Sequence, residues 1–169
     1  MREYVVTCCS TADMSRTFME TNEVPFAMFH YQLDGKEYAD DLYSSISPEV
    51  FYKMIGDGAQ PVTSQVNAEA YCALFEPVLK SGKDVLHLTL SSGISGSINS
   101  ANVAKTQMEE KYPDSRVMVV DSLAASSGYG MLVEQTLENQ RAGMSLEENA
   151  AWIVAHRNTC LLYTSDAAD

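Results

Sequence analysis

An α/β fold with a mainly parallel sheet and flanking helices is predicted by three features of the sequence. Three apolar strand candidates, Glu3 to Cys9, Val85 to Leu90 and Arg116 to Val120, are separated by segments of helical length and spacing. Helix start signals recur between them, each a capping residue followed by an amphipathic run. A turn of small residues, Ser91 to Ser97, leaves the strand candidate at 85–90 and enters the next helix. Strands joined through helical crossovers pair in parallel, and such sheets are covered on both faces.

The elements follow in order. Glu3 to Cys9 reads as a buried strand, with Ser10 or Thr11 as cap for a short helix from about Asp13 to Asn22. Pro25 to Gln32 is β-rich, and Asp34-Gly35 predicts a hairpin turn into Lys36-Glu37-Tyr38. Ser47-Pro48-Glu49 combines a cap, a first-turn proline and an early acid, so a helix through Phe51 and Ile55 is expected, closed by Gly56 and Gly58. Pro61 to Gln65 is expected as a loop, and Asn67 caps a helix through Tyr71 and Phe75 that Pro77 kinks. A helix from about Asn99 to Tyr112 follows the small-residue turn, then a strand ending at Asp121 and a helix from Leu123 to Ala142, stopped by Gly143. Ser145-Leu146-Glu147-Glu148 is a capping box for a last helix to about His156.

Composition narrows the function. Eleven basic against twenty-three acidic side chains give a formal charge of −12, which repels a nucleic-acid backbone or an anionic bilayer. No apolar run approaches the roughly 18 residues of a membrane span, and the start carries no signal-peptide hydrophobic region. A cytoplasmic protein is therefore expected. Cys8, Cys9, Cys72 and Cys160 form no C-x-x-C pair, so reduced thiols are expected rather than disulfides or a zinc site. Asp40-Asp41 reads as a solvated edge rather than a metal site.

The Ser91-Ser92-Gly93-Ile94-Ser95-Gly96-Ser97 turn carries the chemistry. At the carboxyl end of a strand and the start of a helix, unpaired N–H groups and the helix dipole favour an anion, and the hydroxyls add donors. The bland alternative is a turn packed with small side chains. A serine-dependent hydrolase using Ser95 is another, but the nucleophile frame G-x-S-x-G fails because position 97 is serine. His30, His87 and His156 are the available bases, and His87 sits inside a buried strand, where a satisfied core histidine is expected. No P-loop or dinucleotide fingerprint is present, although a small phosphorylated-metabolite binding module stays open.

Several segments resemble one family, the DegV proteins. Thr7-Cys8-Cys9-Ser10-Thr11-Ala12-Asp13 resembles its opening strand and turn, and Asp34 to Tyr38 with Asp40 its hairpin. Pro61-Val62-Thr63-Ser64-Gln65 resembles its T-S-Q loop, and Ser91 to Ser97 its serine-glycine turn. Val120-Asp121-Ser122 with Ala125, Ser126, Gly128 and Gly130 resembles a further segment, so the likeness runs through residues 4 to 158. The resemblance implies a non-catalytic carrier that binds one long-chain fatty acid and presents it to a separate fatty acid kinase catalytic subunit. It places the carboxylate on Thr63, Ser95 and the amides around Gly96, with no cofactor or metal. Burial of about fifteen methylenes offers on the order of 12 kcal/mol gross, so the tail supplies affinity and the head sets register. Phe26, Met28 and Phe29 are candidate tunnel residues, with ordinary core the plainer reading. Cys9 stands where the family commonly has aspartate, so any role of that acid is absent or replaced here. Residues 1–158 are expected to be the amino-terminal lipid-binding domain, without the second domain, and 159–169 a non-native tail resembling adapter read-through.

Overall fold

The computed structural model describes residues 2–159, so the expectation for 160–169, Cys160 included, lies outside the described residues. A four-stranded parallel sheet forms the centre, in the order β2-β1-β6-β7, from β1 Tyr4–Cys9, β2 Phe26–Ala27, β6 Asp84–Thr89 and β7 Val117–Asp121. A second, antiparallel sheet has the order β4-β3-β5, from β3 His30–Leu33, β4 Lys36–Ala39 and β5 Val62–Ser64. The α/β class with a mainly parallel sheet is thus the observed one.

All six residues of β6 are buried, which requires cover on both faces and explains its unbroken apolar run. The cover comes from α3 Ala68–Lys80 with α4 Ser97–Lys111, and from α5 Ser126–Arg141 with α6 Leu146–His156. Caps set α3 and α6 where the sequence placed them. Asn67 accepts the Ala70 N–H at 2.9 Å, and Ser145 and Glu148 form the reciprocal capping box. Pro77 lies within α3, which continues to Lys80.

Three helix starts differ from the sequence expectation. The first helix, α1 Arg16–Thr21, is capped by Ser15. Ser10 is unavailable because its hydroxyl accepts the Phe29 N–H, and a short 3-10 helix, Ser10–Ala12, ends in Asp13 with a left-handed φ of 52°. α4 begins at Ser97 rather than Asn99. α5 begins at Ser126 rather than Leu123, since Ser122 turns the chain by accepting the Ala124 N–H and Leu123 adopts a φ of 51°.

The antiparallel sheet is built from one excursion between β2 and α3. Asp34 and Gly35, both at positive φ, make the expected hairpin. Helix α2 Pro48–Gly56, capped by Ser47, then leads to β5. The segment expected as a loop is partly this strand, because β3 has an open edge that pairs Tyr31 with Thr63. Aromatic contacts hold the layer together: Tyr31 stacks on Tyr38 at 5.4 Å and meets Phe51 edge-on at 5.4 Å. None of the residues of α2 is buried. We expect the amides of α2 and β3 to β5 to exchange with solvent well before those of β1 and β6; equal protection in a hydrogen-exchange experiment would contradict this layering.

Candidate functional site

The serine-glycine turn is held by its own side chains. The Ser91 hydroxyl accepts the Gly93 N–H at 3.2 Å, and the Ser91 carbonyl accepts those of Ile94 and Ser95. Asp121, at the end of β7, accepts the N–H groups of Ser92 and Leu123, tying this turn to the next loop. The Ser97 N–H donates to the Ser95 hydroxyl at 3.2 Å. Of the amides from 92 to 97, that of Gly96 alone makes no hydrogen bond among the described residues. The turn therefore presents a half-buried hydroxyl at Ser95 beside an uncommitted amide.

The T-S-Q segment comes to the same place. An added Cβ at Gly96 would stand 2.6 Å from Oε1 of Gln65, so that side chain lies directly over the glycine. The next residue, Val66, donates its N–H to the fully buried Ser97 hydroxyl at 3.3 Å. Thr63 lies two residues before Gln65, exposed, on the edge strand β5. The structure thus joins the two motifs through Gln65 and Gly96, and through Val66 and Ser97. The sequence reading missed Gln65, Ser97 and Asp121; a glutamine ending a threonine-serine pair and an acid ending a strand were the only signals, and neither specifies a partner.

Thr63 also lines a cavity of about 270 Å³ beneath the antiparallel sheet. Phe29, Tyr31, Ile46 and Phe51 supply apolar wall, and Asp13, Asp40 and Asp41 add acidic groups. Burial raises the carboxyl pKa of Asp40 although the Ser10 hydroxyl bonds to it, and neighbouring Asp13 pushes it the same way. Of the aromatic and sulfur residues expected as tunnel candidates, Phe29 lines this cavity, Phe26 packs on the core and Met28 is exposed. Ser95 and Gly96 are not among the lining residues.

Behind the turn lies a closed polar cluster. His87 is fully buried, with Nδ1 2.9 Å from the Thr7 hydroxyl and Nε2 3.8 Å from Cys9 Sγ. Phe75 and Tyr71 meet its ring edge-on, and burial pulls its pKa down to about 3. His87 is the core residue its strand position predicts. Cys9 stays a thiol, its pKa raised by burial, and the Tyr71 hydroxyl lies 3.4 Å from it. Cys8, Cys9 and Cys72 are free. The Ser95 hydroxyl bonds to Ser97 groups and to no histidine among the described residues, so the hydrolase alternative has no base there. No cluster of three His, Cys, Asp or Glu gathers among the described residues, and no described helix is long and apolar enough to cross a membrane.

Comparison with known proteins adds the family. The family profile described as an uncharacterised protein of the DegV family matches residues 5–167. A DegV domain-containing protein of Clostridium perfringens, CPE0026, is 32% identical over 170 residues, covering 100% of this chain and 58% of the relative. Among solved structures, a fatty-acid-binding DegV family protein from Thermus thermophilus superposes with a TM-score of 0.82 at 30% identity, covering 94% of this chain and 54% of that one. A stearic acid-binding protein from Eubacterium ventriosum gives a TM-score of 0.81 at 28% identity, covering 90% and 52%. The chain spans about half the length of the relatives it matches.

Proposed function

Because the chain belongs to the DegV family, we propose that it is the amino-terminal part of a carrier that binds one long-chain fatty acid. Thr63, Ser95 and the Gly96 amide hold the carboxylate, and the loaded carrier presents it to a separate kinase. The observation that carries this reading is the meeting of the two motifs: Gln65 covers Gly96, and Val66 is bonded to Ser97. An anion at this junction takes hydroxyl and amide donors in an otherwise acidic protein. The cavity beside Thr63 suits the tail and not the head, since its wall is aromatic and aliphatic while Asp13, Asp40 and Asp41 repel a carboxylate.

Titration of the chain with oleate, followed through its amide NMR signals, is expected to shift Thr63, Ser95 and Gly96 together. Affinity will be weak, because the rest of a full-length carrier supplies the other tunnel wall. Thr63→Val and Ser95→Ala should each raise Kd by about tenfold, the cost of one hydrogen bond to a charged group. Shifts elsewhere, or a response to inorganic phosphate and none to oleate, would replace the lipid reading with a phosphate-binding one. Acyl phosphate should form from ATP only when a fatty acid kinase catalytic subunit is added; its formation by the chain alone would make the chain an enzyme.

A further inference from the structure

Ser97 is fully buried, makes no contact with solvent, and yet touches both halves of the grip. Its hydroxyl accepts the Val66 N–H at 3.3 Å and lies 2.9 Å from the Ser95 hydroxyl. Its own N–H donates to that same Ser95 oxygen at 3.2 Å. A serine hydroxyl has one proton and two lone pairs. With one lone pair given to Val66, the Ser97 hydroxyl has its proton to donate, and the Ser95 oxygen and the Tyr71 oxygen are the acceptors near it. When that proton goes to Ser95, the Ser95 oxygen accepts twice from Ser97 and its own single proton is left for a ligand. In the opposite arrangement Ser95 donates inward and offers an anion only lone pairs, which repel it.

We infer that Ser97 is a positioning residue for the carboxylate site: it holds the Ser95 proton outward and tethers the T-S-Q segment to the turn, without touching the ligand. The inference rests on the carrier reading and adds to it. One buried hydroxyl sets the direction of one donor and the distance between two motifs that lie more than thirty positions apart in the chain. The Tyr71 hydroxyl lies behind it, and the nearby Ser97 hydroxyl opposes the rise that burial imposes on the Tyr71 pKa. Gln65 closes the junction from the exposed side, over Gly96.

The test compares Ser97→Ala and Ser97→Thr, each titrated with octanoate and with octanol by amide NMR, and follows Val66 exchange without ligand. Ser97→Ala should speed Val66 amide exchange by about tenfold while Leu86 in β6 is unchanged, the loss of one hydrogen bond without loss of the core. Octanoate affinity should fall by about tenfold and octanol affinity by less than about twofold, since the alcohol both donates and accepts. Ser97→Thr, which keeps the hydroxyl, should restore the octanoate preference. Unchanged Val66 exchange in Ser97→Ala overturns the tether, and equal losses for acid and alcohol reduce Ser97 to a packing residue. If octanoate leaves the turn amides of the unmodified chain unmoved, it is the carrier reading that fails, and the Val66 result still decides the tether.

Discussion

Acidification from pH 6.5 towards pH 3 is expected to remove roughly 4–5 kcal/mol of folding stability through one side chain, His87. In the folded chain its ring is sealed by Tyr71 and Phe75 and burial lowers its pKa to about 3, from an ordinary 6.5. The folded-state value is the lower one, so the unfolded chain binds the proton first as pH falls. The contribution is fully present above pH 6.5 and is lost at about 1.4 kcal/mol per pH unit below it, until the folded ring itself charges near pH 3. Carboxylates blur the lower part of this window, since Glu76, bonded to Lys111, Tyr112 and Lys80, is held down to about 2. Asp40, raised by burial, acts in the opposite sense. The clean measurement is therefore a difference. Denaturant unfolding of the unmodified chain and of His87→Asn between pH 5 and 6.5 should show the slope in the first and its absence in the second, whatever the asparagine does to baseline stability. Parallel slopes would mean that His87 is not shielded as described.

Tyr129→Phe is expected to cost about 2–4 kcal/mol, although it removes a single oxygen. The pairing of β1 with β6 runs from Tyr4 with Asp84 to Thr7 with His87. Beyond it, the Tyr129 hydroxyl from α5 accepts the Cys9 N–H at 3.0 Å and donates to the Leu88 carbonyl at 2.5 Å. Phenylalanine fills the same space and leaves two buried backbone groups unpaired, each carrying a desolvation penalty. Thermal or denaturant unfolding reads the loss directly, and a change below about 0.5 kcal/mol would show that water or a shifted strand satisfies both groups. The neighbouring Gly130 explains the closeness of this helix: a Cβ there would stand 2.6 Å from the Ala12 carbonyl oxygen.

What the sequence disclosed depended on how local the cause was. The capping roles of Ser47, Asn67 and Ser145 are set within four residues, and all three occur as read. The strand at 85–90 announced its double burial by its unbroken apolar run. Strand β5 did not announce itself, because Pro61 to Gln65 has loop composition and becomes a strand only by meeting the open edge of β3, thirty positions away. The cap of α1 was misplaced for a related reason, since Ser10 is engaged by Phe29, which lies between β2 and β3. At the site, the serine-glycine turn and the T-S-Q segment were each visible as donors by composition. Their junction was not: the Gln65 contact with Gly96 and the Ser97 bond to Val66 depend on the path of the excursion between β2 and α3.

That excursion hangs a thin aromatic flap, carrying Thr63, on a deeply buried slab that carries Ser95. The flap has no buried helix of its own. On the carrier reading proposed above, release would not require the molecule to melt: lifting the lighter piece would draw Thr63 away from Ser95 while the slab stays folded. Retention would then follow how firmly the flap is seated, and substitutions at Tyr38 or Phe51, which pack on the Tyr31 that pairs with Thr63, become a means of tuning it.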